Sequence, residues 1–305
     1  MHAVARSGSH RRRGETKVGV IIVIVVCVMA GMLLMFCVGA GIFLPAMGKA
    51  RATARQIKDA TQVRGIHQGL VLSGQSNGDR YPLPSVYDKN NTTLSLAKDT
   101  APETKDTTAN VASILIYNGF FSTQLCLSPA ESNPNIVEMA NYSQSMPPTA
   151  AVPQQALWDP AFSADFTGGK KGNFSYAHSY FRGARRALWG NTFQADEAAL
   201  GNRGPEIAGV TNRNATNKNP NSNTLLIHGG RTTWEGNIAY NDNHVDFQLA
   251  YGKDRTMKDK DGKPFGLWDC HFFDDVTNDP TGANNYLTII TQNGKDESDV
   301  TTIWD

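Results

Sequence analysis

The chain opens on one long apolar stretch: residues 18–44 contain 27 positions and no charged side chain. A helix of that length, at about 1.5 Å per residue, reaches about 40 Å, more than the roughly 30 Å hydrocarbon core of a bilayer. The pattern predicts a transmembrane helix over 18–44 with membrane lipid as its partner. A cleaved signal peptide fits less well, because its apolar part spans about 7 to 15 residues before a small-residue cleavage site. Gly31, Gly39, Ala40 and Gly41 lie inside the run, and small residues let helices approach closely in lipid. After Pro45, Met47, Ala50, Ala54, Ile57, Ala60, Val63, Ile66 and Leu70 recur at three- and four-residue steps among basic residues. These steps predict a stalk helix over 45–73, bent at Pro45 and stopped by Gly74, Asn77, Gly78, Pro82 and Pro84.

Beyond residue 74 the pattern shortens. Over 237–249, Ile238 and Tyr240 precede an Asn241-Asp242-Asn243 turn, and Val245, Phe247 and Leu249 alternate after it. That is a hairpin with an Asx-rich turn. Further strands are expected at 224–227 and 286–291, a short helix followed by a turn over 111–121, and exposed loops at 99–106 and 146–153. Frequent Asn, Gly, Thr and Asp favour short strands joined by turns. The expected fold class is α+β: a long N-terminal transmembrane and stalk helix packed on an antiparallel-sheet head of residues 74–305.

Charge is segregated along this plan. Residues 1–17 form a basic tail of +4, residues 45–72 carry another +4, and 19 basic against 26 acidic groups leave −7 for residues 73–305. An acidic head argues against nucleic acid as a partner. The two basic flanks tie, so counting Lys and Arg leaves the orientation open.

The stretch FLPAMGKARATARQIKDATQVRGIHQGL, residues 43–70, resembles the end of the hydrophobic segment and the following helix of prepilin-type proteins, the type IV pilins and type II secretion pseudopilins. Three further stretches are similar to large-headed pseudopilin-like proteins with a His-x-Gly-type C-terminal domain. They are QLCLSPAE (124–131), NFSYAHS through ALGNRGP (173–205) and HGGRTTWEGNIAYNDNHVDF (228–247). The resemblance implies a pilin-like fold and a single-pass protein of the bacterial inner membrane, with its N-terminus cytoplasmic and its head periplasmic. It also implies other pilin-like or envelope proteins as partners through the membrane and stalk helix. One departure stands out: the family carries a Glu at the fifth mature position, whereas no acid lies in this span. The expectation is a stem retained as a permanent anchor.

Candidate chemistry is sparse. No G-x-S-x-G elbow, P-loop or GxGxxG fingerprint occurs, and the chain reads as non-enzymatic. His228, His244, Asp242 and Asp246 cluster around the hairpin, where a tethered metal-dependent hydrolase is one reading and turn structure the preferred one; the paired ligand spacings of zinc sites are missing. Cys270-His271 reads as a buried thiol beside a partly exposed His. With the head in an oxidising compartment, Cys126 and Cys270 are candidates for one disulfide. The terminal stretch 293–305 is similar to the acidic loop of major type II pseudopilins, which implies calcium at Asp296, Glu297 and Asp299; no other cofactor is expected. The alternative function is therefore a membrane-tethered binding module for calcium or a surface polymer.

Overall fold

The computed structural model describes residues 11–259, 261–275 and 283–305. The first ten residues of the expected basic tail lie outside them. Two compact units divide between Ala54 and Arg55, inside a single helix, α1 (Arg11–Gln75).

In the first unit α1 is long and apolar enough to cross a membrane by length and composition, with a mean hydropathy of 3.2 in its most apolar window. The described side chains over 18–44 are exposed, and Pro45 lies inside the helix, which continues on both sides.

The second unit runs from Arg55 to Asp305. Here α1 ends at Gln75, where Gly74 O accepts the amides of Asn77 and Asp79 at 2.7 and 3.0 Å and Gly78 turns with φ +61°. A single turn, α2 (Pro84–Tyr87), and a short helix, α3 (Thr108–Tyr117), follow; Thr107 caps α3 by accepting from the Asn110 amide. The described residues that follow supply ten strands: β1 (Tyr176–Ser179), β2 (Ala198–Asn202), β3 (Ile207–Thr211), β4 (Asn214–Asn217), β5 (Gly236–Tyr240), β6 (Val245–Gln248), β7 (Gly252–Lys258), β8 (Pro264–Cys270), β9 (Leu287–Gln292) and β10 (Val300–Ile303). Six form an antiparallel sheet in the order β10-β9-β1-β2-β5-β6, and β3-β4 and β7-β8 make two-stranded ribbons.

Alternation along these strands gives the sheet two buried faces. Tyr176, Leu200, Ala239 and Ile289 join Val63, Ile66 and Leu70 of α1 and Val111 and Leu115 of α3 in one core. Their neighbours Ala177, Ile238 and Tyr240 join Trp234, Cys270, Phe272 and Leu287, the first residue of β9, in a second. An α+β head with an antiparallel sheet packed against the long helix is thus observed.

The 237–249 hairpin is present as β5-β6, with Ile238 opposite Asp246 and Ala239 opposite Val245, and α3 and β9 cover the expected helix and second strand. The expected strand at 224–227 is instead a 3-10 turn, Asn223–Leu226, because Ser222 caps it by accepting from the Thr224 amide. The expected exposed loop at 99–106 ends buried: Lys105 Nζ donates to Asp88 Oδ2 at 3.0 Å, and Asp106 accepts from Ser85 N and Oγ at 2.8 Å each.

Candidate functional site

The buried face of α1 is not purely apolar. Asp59 and His67 sit on it with Val63, Ile66 and Leu70, and both are 0 % exposed. Eight residues apart, they stand about 12 Å from each other along the helix. A lone buried carboxylate is costly unless fully hydrogen-bonded, and Asp59 is saturated. Its Oδ1 accepts from Ser128 Oγ at 2.5 Å and Tyr176 OH at 3.0 Å. Its Oδ2 accepts from Asn237 Nδ2 at 2.7 Å and lies 3.0 Å from His228 Nε2. Burial alone would raise the carboxyl pKa, but the hydrogen bonds from His228, Ser128 and Asn237 outweigh it and hold Asp59 below the usual carboxylate range.

His67 makes the second contact. Its Nδ1 lies 3.1 Å from Asn243 Oδ1 and its Nε2 3.2 Å from Tyr81 OH, and the Tyr81 hydroxyl donates to Asn241 Oδ1 at 2.8 Å. Burial lowers the His67 pKa, against the pull of the Asn243 and Asn241 side chains. Asn243 reaches the helix from the hairpin turn with φ +68°, a left-handed conformation that Asn tolerates better than most residues.

Around these polar contacts the helix lies close to the head. Gln62 Nε2 donates to the carbonyls of Gln124 and Leu127 at 3.1 and 3.2 Å. A Cβ at Gly65 would stand 3.1 Å from Leu125 Cδ2, and one at Gly69 would stand 2.8 Å from Phe121 Cδ1. Both glycines forgo helix propensity and admit those side chains.

The helix-binding set therefore draws on three separate downstream stretches of the chain. Ser128 comes from 124–131, Tyr176 from 173–205, and His228, Asn237, Asn241 and Asn243 from 228–247. Acid, imidazole and hydroxyl meet here, but Ser128 and His228 bind different oxygens of the same carboxylate. A nucleophile–base pair needs the imidazole between hydroxyl and acid, and this geometry lacks that relay. What it does is fix a helix in one rotation and register.

The other expected sites fall elsewhere. His244 bonds through Nδ1 to Asp242 and stacks on Tyr240 with ring centroids 4.6 Å apart, while His228 is committed to Asp59. Asp246 shares a hydrogen bond with Gln248 Nε2 at 2.6 Å. Asp296 and Asp299 form a reciprocal capping box around the turn Glu297–Asp299, in which Asp299 Oδ2 accepts the Asp296 amide at 3.0 Å. Among the described residues no group of three His, Cys, Asp or Glu side chains is placed to hold a metal ion.

The Cys126–Cys270 disulfide is not formed: both thiols are free and buried, Cys126 in the helix-side core and Cys270 in the other. The sheet between those cores separates them. His271, expected partly exposed, is 0 % exposed, and burial, with Lys253 and Arg255 nearby, lowers its pKa to about 3.

Asp59 and His67 escaped sequence reasoning because each looks like an ordinary polar residue of a basic helix. The available signal was their spacing on the stripe of Val63, Ile66 and Leu70. Among known proteins, no family model, no curated sequence and no solved structure matches this chain.

Proposed function

We propose that this chain is a non-enzymatic, membrane-anchored envelope protein of pilin or pseudopilin type, with its stem kept as a permanent anchor in the bacterial inner membrane. Its N-terminus is cytoplasmic, its head periplasmic, and its partners are other pilin-like or envelope proteins. One observation carries the reading: every stretch that resembles the pseudopilin-like proteins contributes a side chain to the seat of one helix. Ser128, Tyr176, His228, Asn237 and Asn243 of those stretches grip that helix through Asp59 and His67, and the same helix contains the exposed apolar run. A head built around that helix supports the reading of a stem-bearing protein. Charge supports the same plan, since the basic groups of 45–72 flank the apolar run and the acidic excess belongs to the head.

Two measurements test the proposal. Alkaline-carbonate extraction of bacterial membranes should leave the full chain in the pellet, with the head digestible only from the periplasmic side; release into the supernatant would overturn the anchor. Mass spectrometry of the mature N-terminus should find residues 1–17 intact, and a methylated residue near position 20 would replace the permanent anchor with a processed filament subunit.

A further inference from the structure

A groove of about 710 Å³ opens beside the C-terminal end of α1, within the roughly 300–1,000 Å³ of ordinary binding pockets. Leu83, Val86, Tyr87, Ala184, Ala187 and Trp189 contribute most of its apolar lining. The walls are fixed. Trp189 Nε1 donates to Pro82 O at 3.1 Å, its ring meets Tyr81 edge-on at 5.1 Å, and Asn77 Nδ2 donates to Tyr87 OH at 2.7 Å.

Two guanidinium groups reach this groove, and their charges are answered unequally. Arg186 sits on Asp106 and donates to Ser85 Oγ at 2.9 Å. Arg80 is exposed and bonds through Nη1 to the neutral carbonyl of Ala187; no carboxylate of the described residues pairs with it. An uncompensated guanidinium beside apolar walls, in a head that is otherwise acidic, is complementary to a carboxylate carried by an apolar body.

A second observation comes from the adjoining loop. Phe193 is 68 % exposed and holds φ +58°, a conformation unfavourable for a bulky side chain. The loop is tied down at its base: the Asn191 amide donates to Asp79 O at 2.7 Å, Asn191 Oδ1 accepts the Phe193 amide at 3.3 Å, and Gly190 bridges Arg80. Strained backbone at an exposed aromatic gathers at binding surfaces, and buried aromatic and Arg anchors dominate protein–protein recognition. Val86 of the groove wall and Leu188, next to Trp189 in the chain, are also exposed.

We propose that this groove, with Phe193, is a docking surface for a peptide segment of a partner protein, whose apolar side chain enters the groove while a neighbouring carboxylate pairs with Arg80. The proposal stands on residues 55–305 alone, so its failure leaves the anchor reading untouched.

The test is isothermal titration of the full chain in detergent micelles with acetyl-Gly-Leu-Phe bearing a free carboxylate, and with the same tripeptide as its amide. The acid should bind at least about tenfold more tightly than the amide, the ratio expected when a charge-assisted bond replaces a neutral one. Arg80→Gln should abolish that ratio, Ala184→Trp should weaken the acid at least about tenfold by filling the groove, and Phe193→Ala should weaken it several-fold. Val86→Glu replaces Ala184→Trp if the latter loses the wild-type thermal midpoint. Equal binding of acid and amide, no binding at about 10 mM, or a preference that survives Arg80→Gln would overturn the proposal. Phenylacetate binding as tightly as the tripeptide would make this a small-acid site and overturn the assignment to a peptide.

Discussion

Asp59→Ala removes the acceptor shared by four buried donors, and the size of the loss follows from which donors recover. The hydroxyls of Ser128 and Tyr176 rotate and reach other acceptors or water. His228 Nε2 and Asn237 Nδ2, at 3.0 and 2.7 Å from Asp59 Oδ2, are held by ring and strand. At about 1–3 kcal/mol for each of these two buried donors left unpaired, the expected cost is about 4 kcal/mol. Asp59→Asn should cost only about 1–2 kcal/mol, because its oxygen can face His228 and Asn237 while its amide donates to the two hydroxyl oxygens. Urea unfolding of the full chain in micelles, followed by emission of the buried Trp158 and Trp234, reads both. With a slope of about 3 kcal/mol per molar, Asp59→Ala lowers the midpoint by about 1.3 M and Asp59→Asn by about 0.5 M. The folded Asp59 pKa lies below its unfolded value, so this stabilisation is complete above about pH 4 and is lost as pH falls further. A midpoint for Asp59→Ala within about 0.3 M of wild type, or two variants indistinguishable at pH 7, would refute the reasoning.

Burial lowers the pKa of His178 to about 4 and that of His271 to about 3. Both lie below the ordinary value of about 6.5, so stability is complete above that pH and falls towards pH 4 and 3 as the unfolded chain takes up protons first; a urea midpoint unchanged from pH 7 to pH 4 would contradict this. Cys126 and Cys270 are buried and free, and burial pushes the Cys270 thiol up to about 12. Iodoacetamide should therefore modify neither in the folded head and both after denaturation without reductant, and alkylation that requires a reductant would reveal a bridge. At Gly69, where a Cβ would stand 2.8 Å from Phe121 Cδ1, leucine should lower stability by about 1–3 kcal/mol through overpacking. Alanine should cost much less, because its helix propensity gain of about 1 kcal/mol offsets a small ring shift. Equal thermal midpoints for glycine and leucine would remove the close approach as the reason for that residue.

The parts legible in the sequence are those set by local pattern. An uncharged apolar run needs no partner to declare a helix long enough to span a bilayer, and the β5-β6 hairpin is declared by alternation on both sides of an Asx-rich turn. What could not be read depends on distant partners. Thr224, Leu225, Leu226 and Ile227 have strand composition, yet capping by Ser222 settles the segment as a turn. Arg255 in β7 looks like a solvated charge until Asp269 and Asp196 close on it at 3.1 and 2.9 Å. The candidate site was half visible: its His228 and Asn241–Asn243 turn stood out, but as a metal site or a turn. The helix residues they serve, Asp59 and His67, lie 169 and 176 positions away from His228 and Asn243 in the chain.

That separation bears on synthesis. Asp59 is translated 178 residues before Asn237, the most distant of its four donors. At about 5–20 residues per second, the helix waits about 10–35 s with its carboxylate and its Val63-Ile66-Leu70 stripe uncovered. Non-local closure of this kind is slow and leaves the early segment open to other contacts. During that interval the upstream apolar run is already complete, so a helix long enough to cross a bilayer is available well before the head has the residues to hold α1.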